Sequence, residues 1–359
     1  MDKKLYPLKF LPIASRRPWG GNFLAKQMGK KFSQTTPEGE VVPIAPDTLV
    51  GESWEIADMG QQDSVIANGF LAGNTIAELM ETYMERVVGD DVFEQFGTQF
   101  PLLIKYLDIT GKLSVQVHPD DVVAAERYDQ LGKTEVWYIM DAQPDAKIYM
   151  GLSRDVSAQE FYDACKSATA DRILNVIRPR KGDVIFINPG TVHAAEGGIV
   201  VCEIQESSDM TFRLYDWGRE FNPATARKMH LEEAFDIINL SKYDAVAYTP
   251  AQEAKPQKTD AAIIADCPQF TVSRLTLYDD MEVKDFDSFL VYNCLEGQVS
   301  LQYSYEGRRM ALQMNQGDTV LVPAEADGFI LSPLIPGSVL LESTVRPRPE
   351  VDSYTKEIN

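Results

Sequence analysis

The sequence predicts a mainly β protein made of two jelly-roll units, with helices added to the first unit. Short runs rich in β-branched and aromatic residues, separated by Gly, Pro and Asp, recur through most of the chain. In addition, the segment 182–189 (GDVIFINP) resembles the segment 317–323 (GDTVLVP), which indicates an internal repeat. A histidine follows only the first copy. We therefore expect the second unit to be a degenerate copy of the first.

The first unit begins with turn-rich sequence up to about residue 73 and then carries two predicted helices. Apolar residues at helical spacing predict a helix over 74–88, opened by a capping box of Thr75 and Glu78. A second helix starts with Ser157 and Glu160 and ends before Pro179. The short strands predicted around these helices are 102–107, 113–118, 136–140, 184–188, 199–205 and 211–215.

Periodicity is lost over 240–262, and the Pro- and Lys-containing segment 248–258 is the best linker in the chain. A boundary near residue 250 predicts a catalytic metal-binding domain over 1–247 and a C-terminal jelly-roll domain without a metal site over 260–359. The strands predicted in the second domain are 270–278, 289–293, 298–303, 310–314, 319–322 and 339–344.

Composition limits the classes of function. The net charge of −20, from 34 basic and 54 acidic residues, argues against a nucleic-acid partner or a polybasic membrane surface. An anionic substrate would then need a local positive pocket. No apolar run is long enough to cross a bilayer, and the N-terminus lacks a signal-peptide pattern. We expect a cytoplasmic protein, and the sequence leaves its oligomeric state open.

Two of the three histidines occupy positions suited to a metal site in a β-barrel. His118 and His193 each end an alternating apolar run at a proline-marked turn, and Glu135 lies on a predicted strand between them. Two imidazoles and a carboxylate can hold a divalent cation and leave positions open for substrate. Strand alternation places Gln116 on the same face as His118, which makes it a further candidate ligand. The set suits zinc and also admits manganese, iron or cobalt; the alternative is a pair of ordinary hydrogen-bonded histidines.

Polar side chains after His193 predict a second functional face. Glu203 and Gln205 project together from one strand, and Thr211, Arg213 and Tyr215 project together from the next. A guanidinium is suited to a developing oxyanion because its charge is permanent and its donors lie in one plane.

Arg213 has a structural alternative, namely an ion pair with Asp209 or Asp216. Lys133 and Lys105 offer cations for a phosphate, and we favour Lys133 because its neighbour Glu135 would fix it beside the metal.

Six short motifs follow one another along the chain: WGG at 19–21, GESW at 51–54, VQVHPDD at 115–121, GKTEVW at 132–137, PGTVHA at 189–194 and RLYDW at 213–217. Segment 182–193 resembles the second cupin motif. The ordered set of motifs resembles the type I mannose-6-phosphate isomerases in their short bacterial form. The resemblance runs from about residue 10 to 220 and continues weakly to the end.

This resemblance implies two cupin-like jelly-roll barrels and one zinc ion per chain. It also implies interconversion of mannose 6-phosphate and fructose 6-phosphate through an enediol. By position, it makes His118, Glu135 and His193 zinc ligands, Gln116 a fourth or water-mediated ligand, Arg213 the active-site arginine, and Lys133, Glu203 and Asp209 neighbours of the substrate. The large helical domain of longer family members has no counterpart, so their phosphate contacts cannot be transferred.

Glu203 is the favoured proton-transfer base, with Lys133 and Asp209 as alternatives, because a carboxylate near a metal stays ionised more readily than a lysine loses its proton. Two other functions remain open. A cupin oxygenase with non-haem iron could use the same ligand set, and a sugar-binding cupin could lack catalysis altogether.

Overall fold

The computed structural model describes residues 3–35, 40–60, 62–243, 248–251 and 258–346. Within these ranges the chain is mostly β, as the sequence predicts, and four multi-stranded sheets contain nearly all of the strands. None of the helices in the described residues has the length and apolar composition that a membrane span requires.

The strands of the first part of the chain are β1 (Leu8–Leu11), β2 (Ile13–Ser15), β3 (Ser33–Thr35), β4 (Val41–Pro43), β5 (Glu52–Ile56), β6 (Val65–Ile66), β7 (Leu102–Ile109), β8 (Val115–Val117), β9 (Glu135–Ala142), β10 (Lys147–Leu152), β11 (Leu174–Ile177), β12 (Val184–Ile187), β13 (His193–Glu196), β14 (Ile199–Glu206) and β15 (Phe212–Tyr215). The α-helices are α1 (Phe23–Lys26), α2 (Ile76–Tyr83), α3 (Glu85–Val88), α4 (Asp90–Phe96), α5 (Asp121–Tyr128), α6 (Ala158–Lys166) and α7 (Leu231–Ala234), with short 3₁₀ helices at Gly69–Leu71, Ala170–Ile173 and Arg219–Phe221.

The remaining strands are β16 (Tyr248–Thr249), β17 (Asp260–Asp266), β18 (Thr271–Leu277), β19 (Met281–Val283), β20 (Leu290–Glu296), β21 (Gln298–Tyr305), β22 (Arg308–Asn315), β23 (Thr319–Val322), β24 (Phe329–Pro333) and β25 (Ser338–Thr344). We name the sheets by their strand orders: sheet I is β16-β12-β9-β14-β7-β5-β2, sheet II is β11-β10-β13-β8-β15, sheet III is β17-β18-β25-β20-β23-β1-β6 and sheet IV is β19-β24-β21-β22. Strands β3 and β4 pair separately.

The sheets are stacked in layers, and each interface is a hydrophobic core. Sheets I and II bury Trp137, Ile185 and Ile148 between them. The other face of sheet II packs against α6 and α7. The other face of sheet I packs against sheet III and helix α2. Sheet IV covers the remaining face of sheet III. Side chains from sheets I and II meet in the space between them, so a site can form there.

The predicted helices are present with altered ends. Thr75 caps α2 and forms the expected reciprocal capping box with Glu78, while Ser157 caps α6. The first helix is shorter than the predicted 74–88 because the backbone at Met84 takes a positive φ of 49°, after which α3 continues to Val88. Helix α5, capped by Asp120, falls where no helix is predicted.

Strand β1 links the two ends of the chain. It pairs with β23 through Leu8 and Leu321, and with β6 on its other side, so the N-terminal strand lies inside sheet III. The core between sheets I and III likewise draws residues from both parts of the chain. The division at residue 250 and the closure of the sheets into two barrels stay predictions, and any such division must assign β1 to the C-terminal sheet.

Candidate metal centre and active-site pocket

Strand pairing in sheet II lines up three of the predicted site residues. His193 on β13 is the Cα partner of Gln116 on β8, and Gln116 is the partner of Arg213 on β15. Residues opposite one another in an antiparallel pair lie on the same face. One row across three strands therefore carries an imidazole, an amide and a guanidinium.

Sheet I supplies the carboxylate from the facing layer. Glu135 is the first residue of β9 and pairs with Gln205 on β14, while Glu203 pairs with Trp137 two residues further along β9. The ligand atoms of His118, Glu135 and His193 all lie within 4.8 Å of one another, and all three residues are buried. The structure thus brings the three predicted ligands together.

Each imidazole is oriented by a backbone carbonyl. His118 Nδ1 lies 2.9 Å from the Met210 oxygen, and His193 Nδ1 lies 3.0 Å from the Thr191 oxygen. A carbonyl only accepts, so each Nδ1 carries the proton and each Nε2 keeps its lone pair. His118 Nε2 lies 3.2 Å from Glu135 Oε1, and His193 Nε2 lies 3.8 Å from Glu135 Oε2. Both lone pairs therefore face the carboxylate, as two metal ligands require.

Burial and local charge keep these groups in the forms that bind cations. Burial, followed by the Lys133 charge, lowers the pKa of His118 to about 3, and burial lowers the pKa of His193. Burial opposes the ionisation of Glu135, but Lys133 and the two imidazoles outweigh it and hold the Glu135 pKa well below its usual value. At neutral pH the cluster presents two neutral imidazoles and a carboxylate.

Unsatisfied buried atoms in the cluster indicate that its donor set fits a divalent metal. His118 Nε2 and both Glu135 oxygens are buried without a well-directed hydrogen bond, although Lys133 Nζ lies 2.7 Å from Glu135 Oε1. Buried lone pairs left unsatisfied cost free energy, and a cation would satisfy them. Gln116 is the adjacent amide, with Nε2 3.3 Å from His193 Nε2 and Oε1 accepting from Ser114 Oγ. A half-turn of this amide would direct its oxygen at the same centre.

A pocket of about 230 Å³ opens beside the cluster and is bounded there by Gln116 and Lys133. Its basic lining residues are Arg17, Lys105, Lys133, Arg213 and Arg227, and its acidic ones are Glu52, Glu203 and Asp209. In a chain of net charge −20, this local excess of positive charge is the kind of pocket that an anionic ligand would need. Clefts of about 500 and 450 Å³ lie elsewhere and contain none of the predicted site residues.

The three candidates for proton transfer occupy different environments. Glu203 accepts a hydrogen bond from Trp137 Nε1 at 2.7 Å and lies 3.3 Å from Lys105 Nζ. Burial and the Glu135 charge raise the pKa of Glu203. Burial lowers the pKa of Lys133, but Glu135 and Glu203 outweigh it and raise that pKa overall, so Lys133 stays protonated. Asp209 is exposed where it lines the pocket.

Arg213 lines the pocket with part of its donor set unused. One terminal nitrogen donates to the Lys228 carbonyl at 2.7 Å, and its buried Nε has no partner. Burial and the nearby Arg227 charge lower the pKa of Arg213 to about 10. Asp216, one of its predicted structural partners, is instead paired with Arg227 and Arg219. Within the described residues, no carboxylate forms an ion pair with Arg213.

Two details of the site differ from the sequence prediction. Tyr215 does not project with Arg213, because the pairing of β15 with β8 shifts register between them and Tyr215 packs behind sheet II. Arg17, Glu52 and Arg227 line the pocket without having been assigned a role. Glu52 lies in the GESW motif and Arg17 lies two residues before the WGG motif, but only folding shows that the two side chains meet.

Comparisons with known proteins point to one family. Residues 8–146 match the family model of the type I phosphomannose isomerase catalytic domain. The chain is 32% identical over 322 residues to mannose-6-phosphate isomerase ManA of Bacillus subtilis, and the alignment covers 88% of this chain and 93% of ManA. It is 30% identical over 317 residues to the mannose-6-phosphate isomerase of Streptococcus mutans, and that alignment covers 88% of this chain and 92% of the relative. The crystal structure of the B. subtilis mannose 6-phosphate isomerase matches with a TM-score of 0.78 at 27% identity, covering 95% of this chain and 100% of that one.

Proposed function

This chain belongs to the type I mannose-6-phosphate isomerase family, and on that premise we propose that it interconverts D-mannose 6-phosphate and D-fructose 6-phosphate with one zinc ion per chain. The observation that carries the proposal is the convergence of His118, Glu135 and His193, with unsatisfied lone pairs, beside a basic pocket. Such a pocket suits an anionic sugar, and such a ligand set suits zinc with an open position.

Zinc bound by these three residues, with Gln116 as a fourth or water-mediated ligand, would act as a Lewis acid toward the sugar oxygens at C1 and C2. Lys133 neutralises Glu135 and holds it in place through their 2.7 Å contact. The two backbone carbonyls that accept from the histidines fix the imidazole planes.

Glu203 is the proposed base. Its carboxylate takes the proton from C2 of the aldose, the C1 carbonyl oxygen gains a proton from solvent, and an enediol results. Glu203 then returns its proton to C1 while the C2 hydroxyl loses its proton to solvent, which gives the ketose and restores the carboxylate. One group can serve in both directions when its pKa is raised toward neutrality, as burial and Glu135 do for Glu203. Trp137 and Lys105 hold the carboxylate at the pocket wall.

Arg213 is proposed to stabilise negative charge on the enediolate. It is the row partner of Gln116, and its Nε and second terminal nitrogen are not engaged by carboxylates in the described residues. A planar guanidinium with free donors meets developing charge without reorganising. Asp209, at the exposed side of the pocket, is proposed to contact the substrate.

We assign the catalytic role to residues 1–247 and propose that residues 260–359 form a degenerate jelly-roll domain that binds no metal. The described residues contain one cluster of potential metal-binding side chains, and it lies in the first part of the chain. The proposed location is the cytoplasm.

A coupled assay for fructose 6-phosphate tests this function. We expect turnover of mannose 6-phosphate, its loss after chelation and its return with zinc. Oxygen consumption with bound iron and no isomerisation under nitrogen would indicate the oxygenase. Sugar phosphate that binds and is released unchanged would indicate a binding protein.

A further inference from the structure

We propose that Arg17 recognises the phosphate group of the substrate, on the side of the pocket formed by β5, and that Glu52 positions it. The inference deepens the proposed function and rests on it. A hexose 6-phosphate reacts at C1 and C2 and carries its charge on C6, so the pocket must bind its two ends at different places.

Strand register places the backbone of Glu52 far along sheet I from that of Glu135. Along β7, Leu103 lies in the row of Gln205 and Glu135, whereas Leu107 lies in the row of Glu52. Four residues of strand separate these rows by about 13 Å. Arg17 is bound to Glu52 and lines the same pocket as Gln116 and Lys133. The pocket thus has a metal end and an Arg17 end.

The Arg17 guanidinium is held in a fixed plane. Its Nε donates to Glu52 Oε1 at 2.8 Å and its Nη2 donates to Glu52 Oε2 at 3.1 Å. Glu52 Oε2 also accepts from Trp54 Nε1 at 2.8 Å. Burial opposes the ionisation of Glu52, but Lys105 and Arg17 outweigh it and lower the Glu52 pKa to about 2. Glu52 is therefore an anion at neutral pH that orients one edge of the arginine.

The other edge of the guanidinium is available to a ligand. Arginine has five N–H donors in a planar fork, and the Glu52 pair uses two of them. The Arg17 side chain is 37% exposed, so its remaining donors can be reached. A planar fork matches phosphate oxygens better than a point charge does. Arg17 is thus held in position by Glu52 and keeps donors that a ligand can accept from.

Glycines explain why the sequence can build this pair. A Cβ on Gly51 would lie 2.6 Å from the Arg17 Cβ, and a Cβ on Gly20 would lie 2.5 Å from the Gly51 nitrogen. Only glycine allows these two backbones to come so close. The two Gly-containing motifs, far apart in the sequence, thereby bring Arg17 onto Glu52.

The other pocket cations are committed elsewhere or stand nearer the reacting carbons. Lys133 contacts Glu135, and Lys105 binds Gln205 beside Glu203. Arg213 lies in the Gln116 row. Arg227 is the remaining rival: it lines the pocket, and Asp216 holds it in a bidentate pair.

Inorganic phosphate is the probe that tests the assignment. Its affinity for the zinc-loaded full chain would be measured by calorimetry for wild type, Arg17→Met and Arg16→Met. Arg16 is the matched control because it loses the same charge one residue away, is exposed and bonds to Gln34 outside the pocket. We expect Arg17→Met to weaken phosphate binding about 10–100-fold, as lost charge-assisted hydrogen bonds do, and Arg16→Met to bind as wild type.

The same variants give a kinetic test. Arg17→Met should raise KM for mannose 6-phosphate far more than it lowers kcat, because the phosphate is remote from the reacting carbons. If the methionine variant does not fold, Arg17→Lys keeps the charge without the fork and should show a smaller loss of phosphate affinity.

Unchanged phosphate affinity in folded Arg17→Met, with only a lower melting temperature, would show a structural ion pair and overturn the proposal. Loss of phosphate binding in Arg227→Met but not in Arg17→Met would overturn it as well. If phosphate binding depends on Arg17 but no fructose 6-phosphate forms, the anion site stands and the isomerase function fails. Normal isomerase kinetics in Arg17→Met would leave the proposed isomerase function standing and would exclude Arg17 from phosphate recognition.

Discussion

Two turns, one in each part of the chain, have the same backbone and different chemistry. Gly182 and Gly317 both take a positive φ, at 90° and 87°. Asp183 Oδ2 accepts from the amide three residues earlier at 2.8 Å, and Asp318 Oδ2 does the same at 2.9 Å. The glycine nitrogens donate to equivalent carbonyls on the neighbouring strands, β9 and β20. The repeat indicated by the sequence is thus reproduced in the hydrogen bonds.

The metal ligands are what the second copy has lost. In the first copy, the last residue of β12 pairs with Glu135, and His193 begins the next strand. In the second copy, the last residue of β23 pairs with Leu290, and Phe329 begins the next strand. Leu290 and Phe329 are buried in the core between sheets III and IV. One backbone can therefore carry either a candidate metal site or a hydrophobic core, so the function lies in the side chains and not in the fold.

Removing a ligand from the first copy should have the largest effect. His193→Ala leaves two ligands and an unsatisfied carboxylate, so we expect the metal to be lost. Substitutions around a metal site typically cost about 10–100-fold in affinity or activity, and we expect turnover to fall by more than this. Elemental analysis with the coupled assay measures both. His230→Ala, which removes the histidine outside the cluster, should retain its metal. Near-normal metal content in His193→Ala would refute the shared site.

Arg213→Lys should have the next largest effect. The cation remains but the planar donors do not, so kcat should fall about 10²–10³-fold, with a smaller rise in KM. The melting curve and metal content of the same sample exclude a folding defect. A folded, zinc-loaded variant with nearly unchanged kcat would remove Arg213 from the mechanism.

Restoring a histidine to the second copy sharpens the comparison. Phe329→His removes a buried ring that packs against Tyr292 and Phe286 with centroids 5.7 and 5.8 Å away. We expect a loss of stability of about 3 kcal/mol, in the range for large core truncations, and no second cation. Denaturant unfolding and metal analysis check this. A second equivalent that resists dialysis would show that the second copy keeps a latent site.

The pH dependence of the apo protein gives the smallest effect. The folded pKa of His118 is about 3, below the ordinary value of 6.5, so the unfolded chain binds more protons between these pH values. Stability is therefore present above pH 6.5 and is lost as pH falls toward 3. Going from pH 7 to pH 5, His118 should cost about 2 kcal/mol. His118→Gln should reduce this slope, as measured by denaturant unfolding at both pH values. An unchanged slope would contradict a buried neutral imidazole.

The sequence predicts the local elements well, because their signals are local. The capping residues Thr75 and Ser157 mark helices that form where expected, and alternation puts Ser114 and Gln116 on the pocket side of β8 with Val115 behind it. Helix α5 is missed because its apolar residues follow no clear helical period.

Long-range features are harder to predict from sequence. The bulge that turns Tyr215 away depends on how β15 meets β8, and the pairing of Arg17 with Glu52 depends on two loops closing on their glycines. The strand at Asp260–Asp266 forms at the end of a segment that has no periodicity, where it pairs with β18. Neither a register shift nor a contact between distant segments leaves a periodic signal in the chain.

A zinc titration of the apo enzyme tests the central claim most directly. Chelated protein would receive zinc in steps while fructose 6-phosphate formation is measured at each step. If His118, Glu135 and His193 hold the one catalytic ion, activity should rise from near zero in proportion to added zinc and reach a plateau at one equivalent per chain. Full activity in the metal-free protein, or a plateau only at two equivalents, would contradict it.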